Sequence, residues 1–455
     1  MSHSTPLYQA APPVIDDEEL PEFTSSGGDW DEVTQQIEQQ SLHEKLVNER
    51  IVVNLGPVHP STHGVLRLIV EIDGEIVRKV HVGTGYLHTG IEKNMEYRTW
   101  AQGSTFCTRM DYVASMLNEA AYVMAVEKLM GITDQISERA RLIRVLMMEL
   151  TRAASHIVAI GTTGNELGGT TLMTIAFRGR EEIFRIFERV TGLRMNNAYL
   201  RVGGVAQDLP AGTTEYVRDQ LPKVRRDLGE LEDLIMDNPI FKSRFQGVSY
   251  ISPEAIFAMG LTGPSLRAAG FAYDVRKMMP YSGYETLDFD VCTQETSDAY
   301  GRVRVRFDEC YQSFRIIEQV LDRLDQCEGE RVMVEDKAIA WPSPLSVAAD
   351  GQGNSLEHIR HIMGTSMEAL IHHFKLVTEG FKVPAGQATQ IIEHAKGIMG
   401  CHVVSNGGTR PYRVHFREPS FSNLQSLSLL AEGGMISDLI VSLASLDPVL
   451  GGVDR

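Results

Sequence analysis

Cysteine is sparse in this 455-residue sequence, and its positions form no pairing pattern. The five cysteines are scattered and odd in number, and no two of them form a C-x-x-C motif. This spacing argues against a disulfide framework and against a zinc ribbon, and it favours a reducing compartment, the cytoplasm. The positions are Cys107, Cys292, Cys310, Cys327 and Cys401.

Long hydrophobic runs are also missing. The most apolar stretch, residues 142–161, contains Arg144, Glu149, Arg152 and His156. Charges at that density are too costly for a helix that faces lipid, so no transmembrane helix is expected. The N-terminus has neither the basic nor the apolar region of a secretory signal, and we expect none.

Basic residues are fewer than acidic residues. Lys and Arg total 43 against 60 Asp and Glu, and the formal net charge is −17. A nucleic-acid partner requires a basic face that neutralises phosphates, so this balance argues against one. A hydrophobic content of 43% in a chain of this length is enough for the large core of a globular protein.

The composition and periodicity predict an α+β fold that is predominantly α. An acidic, extended segment over residues 1–49 precedes a β region over 50–90, in which Asp73-Gly74 predicts a hairpin. Residues 91–385 are predicted to form a helical bundle, and 386–455 a β hairpin followed by a terminal helix.

Individual signals support this division. Apolar residues recur at three- and four-residue spacing over 116–131 and 140–161, which predicts helices with broad buried faces. The helical pattern continues to about Phe374, and the last helix is expected to end near Asp447 and Pro448.

The loop GPVHPSTHG, residues 56–64, places His59 and His63 four residues apart. Histidines at this spacing bind zinc when a helix presents both on one face, but Pro60 breaks a helix here. The two hydroxyl residues between them could bond the backbone of a purely structural turn. A third reading is a loop that presents an imidazole to a substrate. Local sequence leaves all three alternatives open.

The segment GTGYLHTGIEK, residues 83–93, follows a strand and precedes a helix, as nucleotide-binding loops do. It departs from the dinucleotide fingerprint, because His88 stands where a third glycine is required. It also departs from the Walker pattern, because Ile91 and Glu92 replace Lys and Ser or Thr. We therefore expect no nicotinamide nucleotide on this chain.

The segment CTRMDYV, residues 107–113, gathers Arg109, Asp111 and Tyr112 at the start of a helical run. An arginine and an aspartate two residues apart are expected to be solvated or paired with each other. His156, on a long apolar helix, is predicted to be a core histidine with a hydrogen-bond partner.

Several segments together, in this order, resemble the D-type, 49 kDa subunit of proton-pumping NADH:quinone oxidoreductase, respiratory complex I. The acidic N-terminal segment resembles extensions on actinobacterial members. The segments that carry the resemblance are GPVHPSTHGVLRL, GYLHTGIEKNMEYRT, TRMDYV, AVEKLMG, YLRVGG, PYSGYETLDFDV, ALIHHFKLVTEG, GTRPYRVHFREPSFSNLQ and LDPVLGGVDR.

The family is similar to the large subunit of nickel–iron hydrogenases, which implies a long helical bundle with a small β region from both chain ends. Hydrogenases hold their metals with two cysteine pairs. The corresponding segments here, GYLHTGIE and LDPVLGG, contain no cysteine, so neither a nickel–iron centre nor another metal site is expected.

The resemblance also implies a function and partners. The chain would form the quinone-reduction site together with the B-type iron–sulfur subunit, which holds the cluster, and menaquinone would be the substrate. The C-type subunit, other peripheral-arm subunits and the membrane arm would complete a proton-translocating complex. The complex would place this chain peripherally on the cytoplasmic face of the cell membrane. The alternatives are a related complex with ferredoxin or deazaflavin as electron donor, and a scaffold without activity.

Site residues follow from the same resemblance. His63 and Tyr112 would contact the two quinone carbonyls, with Met195 also binding quinone, and Glu166 replaces the aspartate that usually partners the histidine. Arg109 and Asn196 would lie beside the cluster. Because many members have a titratable histidine where this chain has Asn196, we expect a weak pH dependence of the cluster potential.

Overall fold

The structure is a computed structural model that describes residues 50–56, 65–335, 339 and 367–455. Its small antiparallel sheets and more extensive helices confirm the predicted α+β class in which helix predominates. The hydrogenase-type architecture stays a prediction. The acidic segment predicted over residues 1–49 lies outside the described residues.

The first sheet is built from the β region predicted after the acidic segment. Strands β1 (Arg50–Leu55), β2 (Arg67–Asp73) and β3 (Ile76–Gly83) pair antiparallel in the order β1-β2-β3. The turn between β2 and β3 contains Gly74 at φ 63°, a left-handed conformation that glycine adopts without strain. The Asp73-Gly74 signal therefore marked the hairpin correctly.

Helices occupy most of the chain that follows, interrupted by one pair of two-residue strands. The elements are α1 (Ile91–Glu96), α2 (Trp100–Cys107), α3 (Ser115–Met130), α4 (Glu138–Glu166), α5 (Thr170–Thr191), β4 (Leu200–Arg201), β5 (Gly204–Val205), α6 (Thr213–Met236), α7 (Pro239–Phe245), α8 (Pro253–Met259), α9 (Pro264–Arg267), α10 (Val275–Met278) and α11 (Ala299–Leu324). Short 3-10 turns lie at Thr133–Gln135 and Tyr284–Thr286.

The long helices form a bundle. Helix α4 packs against α5 and α11, and α6 packs against the same two helices. The Ser137 side chain caps the start of α4 by accepting a hydrogen bond from the Ala140 N–H. A Cβ on Gly161 would lie 2.5 Å from the Ala176 Cβ, so this glycine allows α4 and α5 to approach closely. The predicted helices at 116–131 and 140–161 correspond to α3 and α4.

The mostly helical pattern expected from Ile91 to about Phe374 includes an irregular stretch between α7 and α11 that was not predicted. Residues 246–298 form loops with the short helices α8, α9 and α10 and the 3-10 turn at Tyr284–Thr286. Pro253 and Pro264 each stand in the first turn of such a helix, where a missing N–H costs nothing, and neither helix extends far beyond it. In the described part of the chain, no helix combines the length and apolar character needed to cross a membrane.

The C-terminal region contains a second three-stranded sheet. Strand β7 pairs antiparallel with both β6 and β8, and α3 packs against β6 and β7. The strands from the two chain ends thus belong to separate sheets. The elements are α12 (Met367–Thr378), β6 (Gly386–His394), β7 (Gly397–Ser405), β8 (Arg413–Arg417), α13 (Pro419–Leu424), α14 (Leu427–Ala431), α15 (Ile436–Leu446) and α16 (Leu450–Asp454).

The end of the chain differs from the expectation of a last helix ending at Asp447. Helix α15 does end there, because Asp447 adopts φ 52° and Pro448 follows, but the chain resumes as α16. Every residue from Leu450 to Asp454 is buried. The terminal segment is therefore part of the core, and it reaches the turn that precedes α3.

Candidate functional site

Three segments that are far apart in sequence line one cavity of about 520 Å³. They are the GYLHTGIEK segment with the start of α1, the end of α2 with the turn that follows it, and helix α16. Apolar side chains share the wall with hydroxyl, amide, guanidinium and phenol groups. The lining residues are Leu87, Thr89, Ile91, Asn94, Thr105, Phe106, Arg109, Tyr112 and Gly451.

Tyr112 lies in the turn between α2 and α3. Its side chain is 37% exposed, and a Cβ on Gly451 would lie 3.2 Å from its Cε1 atom, so its ring rests against α16. Burial, and secondarily the negative charge of Asp111, raise the pKa of the phenol above its ordinary value. At neutral pH this group is therefore an O–H donor at the cavity wall.

Arg109 and Asp111 are not paired with each other; Arg109 is exposed, in line with one of the two alternatives predicted from their spacing, whereas Asp111 fits neither. The Arg109 guanidinium is exposed and donates through Nη1 to the Thr105 carbonyl at 2.6 Å and to Thr108 Oγ1 at 2.8 Å. Asp111 is buried, and its Oδ2 lies 3.2 Å from Lys396 Nζ. The turn directs the two side chains to opposite sides, so Arg109 faces the cavity and Asp111 faces the core.

The side chain of Asp454, in helix α16, fixes the segment that contributes Leu87 to the cavity wall. Asp454 accepts backbone hydrogen bonds from Gly85 at 2.8 Å and from Leu87 at 2.7 Å. Its carbonyl oxygen lies 2.6 Å from His88 Nδ1. These contacts attach the GYLHTGIEK segment to α16. Sequence reasoning missed this role, although the carboxylate within the quoted terminal motif was a signal.

Two adjacent polar residues of α3 connect the Tyr112 turn to the start of β4. Asn118 Nδ2 donates to the Asp111 carbonyl at 2.9 Å, and Glu119 Oε2 accepts from the Leu200 N–H at 2.9 Å. Both side chains are fully buried, and burial raises the pKa of Glu119 to about 7. Sequence reasoning missed both, and the signal that could have found them was a polar pair inside an apolar helix.

The other predicted site residues are less closely defined. Met195 and Asn196 lie on the loop between α5 and β4, where Met195 is 38% exposed and Asn196 adopts φ 52°; neither lines the cavity. Glu166 is half-buried at the end of α4. His63, like His59, falls outside the described residues. The structure thus brings Arg109 and Tyr112 together at one cavity, and the roles of all the predicted site residues stay predictions.

A network of charged side chains is buried in the core. Arg267 donates to Glu309 at 2.6 Å and to Glu393 at 2.8 Å, with all three side chains at most 3% exposed. His156 Nε2 lies 2.8 Å from the same Glu309, so the predicted core histidine is confirmed. Burial lowers the pKa of His156, which is therefore neutral at pH 7.

Metal ligation finds no support in the described residues. Across 50–56, 65–335, 339 and 367–455, no group of three or more His, Cys, Asp or Glu side chains could hold a metal ion. The cysteines are free thiols, with Cys107, Cys310 and Cys401 buried. The donor set of this part of the chain does not fit an iron–sulfur cluster.

Comparisons with known proteins identify similar chains. The family described as respiratory-chain NADH dehydrogenase, 49 kDa subunit, matches residues 166–455. The chain is 58% identical over 433 residues to the D-type subunit of NADH-quinone oxidoreductase of a Nocardioides species, covering 95% of this chain and 96% of the relative. It is 59% identical to the D-type subunit numbered 2 of Streptomyces coelicolor, with the same coverage. It is 56% identical to the D-type subunit of Cutibacterium acnes, covering 95% and 99%.

Proposed function

Because this chain belongs to the family of the 49 kDa, D-type subunit of respiratory-chain NADH dehydrogenase, we propose that it forms the site of quinone reduction in an NADH–quinone oxidoreductase. One observation carries the proposal. Tyr112 lines a cavity on which three family motifs converge, although these motifs lie near residues 87, 109 and 451 of the chain.

The cavity wall suits a quinone ring. A quinone is flat and apolar with two carbonyl oxygens, so it needs apolar contacts and a few hydrogen-bond donors. Leu87, Ile91 and Phe106 offer apolar surface, while Tyr112 and Arg109 offer donors. We infer that the ring lies between α16 and the end of α2, with one carbonyl directed at the Tyr112 hydroxyl.

The reaction requires two electrons and two protons for each quinone that becomes a quinol. A raised pKa keeps the Tyr112 phenol protonated, so it can donate a hydrogen bond that strengthens as negative charge develops on the quinone oxygen. It can then transfer its proton to that oxygen. In this proposal His63 serves the second carbonyl, Glu166 orients the imidazole, and Met195 contacts the ring.

In this proposal the electrons come from a neighbouring subunit. We assign the cluster to the neighbouring B-type iron–sulfur subunit, with Arg109 and Asn196 beside it. Menaquinone is the proposed substrate. The C-type subunit, other peripheral-arm subunits and the membrane arm complete the proposed complex, which couples quinone reduction to proton translocation and holds this chain on the cytoplasmic face of the membrane.

Replacing Tyr112 with Phe tests the proposal, because it removes one hydroxyl and keeps the ring against Gly451. We expect NADH–quinone activity of the assembled complex to fall by about 100-fold or more. The rate of NADH oxidation should be unchanged when an artificial acceptor takes the electrons before they reach the quinone site. Tyr97→Phe is the matched control, since its ring is 64% exposed and does not line the cavity. Wild-type quinone turnover in an assembled Tyr112→Phe complex would contradict the proposal.

A further inference from the structure

A buried lysine lies behind the cavity. Lys396, in the turn between β6 and β7, is 2% exposed, and its Nζ lies 3.2 Å from Asp111 Oδ2 and 3.1 Å from Asp447 Oδ2. It also donates to Ser155 Oγ at 2.9 Å. Isolating an ammonium group from water costs several kcal/mol, so its retention in the core indicates that these two carboxylates hold it in the charged form.

Both carboxylates belong to segments that position Tyr112. Asp111 precedes Tyr112 in the chain, and its Oδ1 accepts from the N–H groups of Val113 at 3.0 Å and Ala114 at 3.1 Å, which fixes the turn. Asp447 joins α15 to the segment that ends in α16. Lys396 therefore links the turn that carries the phenol to the helix against which its ring rests.

The charges around the phenol act in opposite directions. Burial is the largest influence on the pKa of Tyr112 and raises it. The charges of Asp111 and Asp447 also raise this pKa, whereas the charge of Lys396 lowers it. Burial opposes the charge of Lys396, but Asp111 and Asp447 outweigh it and raise the pKa of the ammonium, which stays charged at neutral pH. The cluster thus holds one cation between two anions, all within electrostatic range of the phenol.

Other titratable or charged groups face this cluster from the elements packed around it. Burial lowers the pKa of His394 well below its ordinary value, so this imidazole is neutral. Burial, and then the charge of Asp111, raise the pKa of Glu418 to about 7. These groups are His394 on β6, Glu418 before α13, Arg152 on α4, Arg180 on α5 and Arg306 on α11.

We infer that Lys396 is a positioning residue of the quinone site, whose ammonium offsets the charges of Asp111 and Asp447 and so lets the Tyr112 phenol release its proton. This inference rests on the proposed function. The proton passes from the Tyr112 oxygen to the quinone oxygen that has gained charge from the two incoming electrons. The phenolate left behind is stabilised by the Lys396 cation, and a proton from solvent restores the phenol before the next turnover.

Two substitutions that change the charge near Tyr112 in opposite directions test this assignment in the assembled complex. Fluorotyrosine at position 112, whose phenol is more acidic than that of tyrosine, places the ionisation within a measurable pH range. The readout is the alkaline inflection of kcat against pH for quinone reduction. Lys396→Met removes a cation, so we expect the inflection to move up by about one pH unit. Asp447→Asn removes an anion, so the inflection should move down by a similar amount.

Lys396→Arg is the conservative control and should keep the inflection close to that of the complex that carries fluorotyrosine at position 112 and Lys396. A structural role alone would lower activity without moving the inflection in opposite directions. An unchanged inflection in Lys396→Met, or shifts of the same sign in both variants, would overturn the inference. Should Lys396→Met fail to assemble, the absence of a downward shift in Asp447→Asn would overturn it equally.

The two proposals fail in different ways. Wild-type activity in the Tyr112→Phe complex would refute both the quinone-site proposal and this inference. Tyr112→Phe could instead lose most of its activity while the alkaline inflection does not respond to charge at positions 396 and 447. That result would refute only the role of Lys396.

Discussion

A single methyl group added to Gly451 should disable quinone reduction while leaving the protein folded. The Cβ of Gly451→Ala would lie 2.5 Å from the Met110 carbonyl oxygen, 3.0 Å from the Arg109 carbonyl oxygen and 3.2 Å from Tyr112 Cε1. Because ordinary contacts begin at 3.4 Å, the helix and the turn must separate by about 0.9 Å. The two obstructing carbonyl oxygens belong to the backbone, so no side-chain rotation can remove the clash.

The expected effects on stability and activity differ in size. Overpacking costs about 1–3 kcal/mol, and the higher helix propensity of alanine offsets up to about 1 kcal/mol of that. The complex should therefore still assemble. A displacement of about 1 Å in a reacting group can cost about 100-fold in rate, so we expect quinone turnover to fall by roughly 10- to 100-fold.

The assay compares NADH–quinone activity with NADH oxidation by an artificial acceptor in membranes that contain the variant complex. Gly229→Ala is the matched control, because Gly229 lies inside α6 and its added Cβ would meet nothing within 4 Å. That control should keep full activity and gain a little stability. Wild-type quinone turnover in an assembled Gly451→Ala complex would refute the close approach of α16 to the Tyr112 turn.

Three further predictions concern buried charge and the loop after α5. Arg267→Met leaves Glu309 and Glu393 without their shared cation, so the free energy of unfolding should fall by about 3–5 kcal/mol; an unchanged melting temperature would contradict this. Because burial raises the pKa of Glu119 from 4.5 to about 7, the folded state binds a proton that the unfolded state releases, and stability should fall by about 3 kcal/mol as pH rises across that interval. Urea unfolding of Glu119→Gln should show a flatter pH dependence, and an identical pH slope would contradict the assignment. Redox titration from pH 6 to 8 should show a weak pH dependence of the cluster potential, which Asn196→His should strengthen; a full proton-coupled slope in the unsubstituted complex would contradict this.

Periodicity and local turn chemistry predicted the elements whose signals are local. Helices α3 and α4 have apolar residues at helical spacing, and Asp73-Gly74 supplied the turn of the β2–β3 hairpin. The family was predicted from its motifs and is confirmed by the comparisons. The irregular stretch over residues 246–298 was missed, because its order comes from tertiary contacts, such as the Ser297 hydroxyl donating to the Ile251 carbonyl at 2.6 Å.

The candidate site was predicted only in part, for a similar reason. Arg109 and Tyr112 line the cavity, and both were singled out from their motif. Lys396 stands in a β-turn with no local pattern, and its partners Asp111 and Asp447 come from distant segments. Spacing alone suggested that Asp111 would be solvated or paired with Arg109. A buried ion pair between remote segments depends on packing, which a single sequence does not encode in any local spacing.

The most direct test is a structure of the assembled complex with a short-chain quinone bound. We predict that a quinone carbonyl oxygen lies about 2.5–3.0 Å from the Tyr112 hydroxyl, with the ring between α16 and the end of α2. A quinone bound elsewhere during turnover, with Tyr112 facing only water or a neighbouring protein, would contradict it.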